Sequence, residues 1–138
     1  MLIAEGKRNN MGPIYIAEEK VIRWKGREFD WVDFYHIDEN TKCLISILER
    51  YTKPMDKDKL ARFTQKTMHS LTPLLLNISA EALVEAFHVT IAIQDFFERE
   101  KEKDRKLALC YLRAIRKLLS LDELFQSKDK VNLDAGSV

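Results

Sequence analysis

Glu81, Glu85 and His88 stand at i, i+4 and i+7, a spacing that puts two carboxylates and an imidazole on one face of a helix. Glu85-x-x-His88 is also the spacing with which di-iron helical bundles hold metal, but such a centre needs a second Glu-x-x-His and further carboxylates on facing helices. No other helical segment of the chain supplies them. The expectation is therefore no metal and no cofactor, with these residues as a surface stripe on an otherwise buried helix and His88 at its edge. A second pair, His36 and Cys43, would give an activated nucleophile if imidazole and thiol met. His36 is expected to precede the helix that carries Cys43, however, and Leu44, Ile45 and Ile47 make Cys43 an inert core thiol. Cys110, beside Leu109, Tyr111 and Leu112, carries the same expectation. His69 lies near the end of a helix, where a cation opposes the negative end of the macrodipole, so structure alone accounts for it. The glycines (Gly6, Gly12, Gly26, Gly136) are isolated and none opens a helix after a strand, so no phosphate loop forms. Hydrolase, kinase and dinucleotide chemistry all lose support. The chain is expected not to be an enzyme.

Two basic groups have helical spacing: Lys59, Arg62 and Lys66, and further on Arg113, Arg116 and Lys117. Either set would suit phosphates. Arg23, Lys25 and Arg27 interleave with Trp24, pairing cations with an aromatic ring as single-stranded nucleic-acid binders do. Against this, lysine and arginine stripes are the ordinary solvated sides of amphipathic helices, and Trp24, Phe29 and Trp31 are more simply the packed face of a hairpin. Tyr15, Trp31, Phe34, Tyr35, Phe96, Phe97 and Phe125 are many aromatics for one small domain. Any left together outside would form a patch of the kind that marks an interface, and Trp31, Phe34, Tyr35 and Phe125 are the candidates for it.

The elements that must position these residues follow from composition and period. The chain has 138 residues, 46% hydrophobic and 33% charged, which suits one domain able to bury its own core. A net charge of +1 provides no global field toward nucleic acid or an anionic membrane. Two cysteines without a C-x-x-C read as reduced thiols, Met1 to Met11 lacks the apolar run of an export signal, and no segment reaches the ~20 apolar residues of a membrane span. An intracellular protein, cytoplasmic or nuclear and without membrane contact, is the expectation.

Residues 1–12 and 127–138 are expected to be flexible ends around a single domain, 13–126. Ile14-Tyr15-Ile16, Val21 to Trp24 and Arg27 to Val32 are β-prone runs, and Lys25-Gly26 suits a tight turn, so a small hairpin is expected over about 14–32. Helices are expected over about 38–126. The first is capped near Asp38, Asn40 or Thr41 and ends before Pro54, and a second, capped by Asp56, is ended or kinked at Pro73. Ser79 caps a third helix that is apolar nearly all round and therefore central. The run from Glu98 to Lys106 reads as a solvated junction. Leu107, Cys110, Tyr111, Ala114, Ile115 and Leu118 then give a clean amphipathic stripe, and Ser120 with Glu123 has capping-box spacing for a short last helix.

The fold class expected is mainly α, a compact bundle of about five helices with a small N-terminal β-hairpin. The function expected is that of a non-enzymatic adaptor or regulatory domain binding a protein partner, or itself as an oligomer, through an aromatic and apolar surface. The alternative is an RNA- or single-stranded-DNA-binding subunit using the basic helix faces.

Overall fold

Three short strands open the described part of the chain: β1 (Ile14–Ile16), β2 (Val21–Trp24) and β3 (Arg27–Asp30), an antiparallel meander in sequential order. The computed structural model describes residues 12–51 and 57–125. The ends of the chain, Pro54, Asp56 and the side chain of Lys59 lie outside the described residues. Lys25 and Gly26 both take positive φ, 53° and 74°, as a two-residue hairpin turn requires. Alternation then sorts the side chains. Ile22 and Phe29 pair across the strands and are buried, while Arg23 and Glu28 pair on the other side and form an exposed ion pair of 2.8 Å.

The third β-prone run does not extend to Val32, and the first helix does not wait for Asp38. Asp30 caps it instead, its Oδ1 accepting the Val32 N–H at 3.0 Å, and α1 runs Trp31–Arg50. Phe34, Ile37, Asp38, Thr41, Leu44 and Leu48 are its buried face, a helical spacing that overrides the β propensity of Trp31, Val32 and Tyr35. Helix α2 runs Lys57–Ile78 straight through Pro73. Proline costs a helix one backbone bond, to the carbonyl four residues earlier. Here that residue, His69, is exposed, as is Pro73.

Ser79 is the whole link to α3 (Ala80–Arg99), its Oγ accepting the Ala82 N–H at 3.2 Å as the N-cap. Glu100, left-handed at φ 53°, closes α3, and α4 (Glu102–Leu118) returns antiparallel to it. The acidic and basic junction is therefore not uniformly solvated: Asp104, in the first turn of α4, is 2% exposed and receives Arg99 at 3.1 Å. A short helical turn at 121–125 follows. The core lies between the helices and the inner sheet face, built from Phe34, Ile37, Leu71, Leu75, Ile93, Leu112 and Ile115, with Ala82, Ala86 and Ala108 allowing the helices to approach closely. The fold is thus a mainly helical bundle with a small N-terminal antiparallel sheet.

Candidate interaction surface

The aromatic residues expected at the surface are largely inside. Phe34 is fully buried, with Phe29 at 5.8 Å and Trp24 at 6.5 Å between ring centroids, and it pins the sheet to α1. Phe125 is 4% exposed and meets Tyr35 edge-on, so the C-terminal turn closes over the same cluster. Neither is available to a partner, because both rings fill the core where sheet, helix and final turn meet. Trp31 and Tyr35, one helical turn apart, stack at 5.3 Å with 3° between planes and are half-buried. The Tyr35 hydroxyl donates to Glu39, and that bond holds its pKa above the ordinary phenol range. Of the expected patch there remain only these two partly covered rings, bordered by exposed Ile14, Tyr15 and Val32.

The basic set is divided as well. Arg116 is buried and donates to the Asp38 and Asp122 carboxylates, 2.7 Å each, and to the Thr41 hydroxyl at 2.8 Å. Its guanidinium is a structural tie between α1 and the C-terminal turn and cannot hold a phosphate. Arg113 is exposed but ion-paired with Glu49 of α1. Arg62 and Lys66 on α2 and Lys117 on α4 are exposed. In the sheet, Arg23 is engaged by Glu19 and Glu28, Lys25 lies over the Trp24 ring at 4.6 Å, and Arg27 covers Phe29 and reaches Asn77.

His36 and Cys43 share α1, two turns apart, about 10 Å along the axis and out of each other's reach. Both cysteines, expected in the core, are exposed free thiols: the apolar residues beside them in sequence point to the other side of each helix. His88 Nδ1 lies 3.8 Å from a Glu85 carboxylate oxygen, and its ring packs on Tyr111 of α4 at 4.9 Å. Among the described residues no three His, Cys, Asp or Glu side chains gather as a metal ligand set.

A row of exposed apolar residues lies where the sequence predicted a central helix. Helix α3 buries Ala82, Ala86, Val89 and Ile93 on one side, between α2 and α4. On the opposite side Val84, Phe87 and Ile91 are 48%, 52% and 55% exposed, and Leu107 of α4 is 43% exposed. A helix apolar all round can be enclosed only if neighbours cover every side; here one side is left open. The signal was present in the spacing, because Val84, Phe87 and Ile91 form an i, i+3, i+7 stripe of their own, distinct from the inward one. Comparison with known proteins returns no matching family model, no matching curated protein and no matching solved structure.

Proposed function

We propose that the chain is a non-enzymatic adaptor or regulatory domain that binds protein through the open face of α3 and the adjoining edge of α4. The observation that carries this reading is the row of three large apolar side chains, Val84, Phe87 and Ile91, each about half exposed on consecutive turns of one helix. Water-exposed apolar residues are common singly, but a continuous row, backed by a packed core and with charged residues toward its ends, has the anatomy of a recognition surface. Two exposed, unpaired thiols on separate helices suit a reducing compartment, which supports an intracellular setting, cytoplasmic or nuclear. Among the described residues no helix is long and apolar enough to cross a membrane.

The test is a cross-linking capture comparing the wild type with a Phe87→Lys/Ile91→Lys variant. Both positions are exposed, so helicity and thermal midpoint are expected to stay within the range of ordinary surface substitutions. Loss of captured protein by the variant is the expected result; equal capture by both would overturn the reading. Nucleic-acid binding is the rival outcome, now resting on Arg62, Lys66 and Lys117. A gain in light-scattering mass with short RNA or single-stranded DNA, abolished by salt and by Arg62→Glu/Lys66→Glu, would displace the protein-binding reading.

A further inference from the structure

On α3 the outward residues run Ala80, Val84, Phe87, Ile91, Gln94 and Glu98, alternating steps of four and three; on α4 the matching series is Lys103, Leu107, Cys110, Ala114 and Lys117. Alternating steps of four and three are the spacing of a coiled-coil seam. Each helix thus carries, beside the stripe it spends on its own core, a second stripe for which the described part of this chain provides no covering helix. The two stripes lie side by side, because α3 and α4 are antiparallel neighbours held together by the His88–Tyr111 ring contact near mid-length and by Arg99–Asp104 at the turn.

Counting along both helices from those two anchors at 1.5 Å per residue sets the levels of the face. Phe87 and Ile91 fall level with Ala114 and Cys110, giving an apolar middle, and Leu107 falls level with Gln94. At one end exposed Glu98 is level with Lys103, while Asp95 nearby is paired with Arg99 of its own helix at 3.0 Å; at the other, exposed Glu81 lies near the level of Lys117. The α3 half of the face is acidic at both ends, and the α4 half is basic at both ends.

We propose, on the basis of the protein-binding reading above, that the occupant of this face is a second copy of the same chain. A two-fold axis parallel to the helices and passing over the α3–α4 seam lays α3 of each copy on α4 of the other and keeps every residue at its level. Acidic ends then meet basic ends, Glu98 opposite the partner lysine of the Lys103 level and Glu81 opposite that of the Lys117 level. The apolar middles close on one another, and the four helices form an intermolecular bundle. An isologous interface requires a self-complementary surface, and this face is one. The perpendicular two-fold, stacking α3 on α3, would set Glu81 against Glu98 and is disfavoured by like charge. A partner segment of a single charge sign would meet repulsion along one of the two helices.

Sedimentation over a dilution series, with thiol alkylation followed by mass spectrometry, tests the proposal on the intact chain. A concentration-dependent dimer is expected, in which Cys110 reacts more slowly as concentration rises while Cys43, exposed on α1, keeps a constant rate. Phe87→Lys is expected to weaken the dimer roughly 30-fold or more and to restore Cys110 reactivity. A variant carrying Glu81→Lys and Glu98→Lys, and another carrying Lys103→Glu and Lys117→Glu, are each expected to remain monomeric alone and to pair when mixed. A chain that stays monomeric, or that dimerises with Cys110 unprotected, overturns the second-copy assignment. If the monomeric chain still loses cross-linked protein on Phe87→Lys/Ile91→Lys substitution, only that assignment falls; if it does not, the protein-binding reading falls with it.

Discussion

Removing the Arg116 guanidinium would strand the Asp38 carboxylate, 2% exposed, inside the bundle. A buried charge deprived of its partner is among the more expensive single changes a protein can suffer, and Arg116→Ala is expected to cost about 3–5 kcal/mol by denaturant titration. Lys42 Nζ, 3.1 Å from Asp38 Oδ2, remains as a second partner and holds the cost toward the lower end. A cost within experimental error would mean that the pair is not buried in solution. The same geometry decides how nucleic-acid binding should be probed: charge reversal at Arg116 would abolish binding by unfolding the domain, whereas Arg62 and Lys66 can be reversed without touching the core. Sequence spacing grouped Arg116 with Arg113 and Lys117 because all three lie within five positions. What separates them is Asp38, distant along the chain and brought close only by the packing of α4 on α1, and local pattern carries no trace of it.

At the level of elements, the features that depend on near neighbours were legible and those that depend on distant ones were not. The first two strands, the Lys25-Gly26 turn and the Ser79 cap follow from local propensity and turn chemistry, and the structure places each of them as expected; the third strand stops at Asp30, short of Val32, and the hairpin is the larger part of a three-stranded sheet. Propensity alone puts the start of α1 too late, since Trp31, Val32 and Tyr35 favour strands. The burial of Phe34, Ile37 and Thr41 against the sheet and α4 supplies the energy that makes them helical. Asp30 is consequently a cap and not the end of a longer strand. Asp30→Ala is expected to destabilise the protein by about 1 kcal/mol, seen as a lower thermal midpoint without change in helical content. An unchanged midpoint would place the start of α1 elsewhere. The interaction face was half legible. Its apolar stripe is plain in the spacing of Val84, Phe87 and Ile91, but whether a stripe is covered depends on how many helices surround α3, which periodicity along one segment does not encode.

For the molecule as a whole, the aromatic set that sequence assigned to an interface instead binds the ends of the domain together. The rings of Tyr15, Trp31, Tyr35 and Phe125 form a continuous series from β1 through α1 to the final turn. Phe34 and Phe125 are spent on the core, while Val84, Phe87 and Ile91 of α3 and Leu107 of α4 remain exposed elsewhere on the described domain. The sheet and α1 thus close the fold on one side, and the two antiparallel helices carry exposed apolar residues on another.

Gly12, at the start of the described chain, comes so near Ser120 that a Cβ placed on it would lie 2.6 Å from the serine oxygen. The beginning and the end of the fold are therefore neighbours in space, and the order in which the chain visits its elements is separable from the way they pack. A circular permutant in which Gly12 and Phe125 are joined through a short linker and new ends are opened at Glu100 and Lys101 is expected to keep the far-ultraviolet helical signal and a cooperative thermal transition. Loss of cooperativity would show that continuity through the α3–α4 turn is needed to bring those helices together.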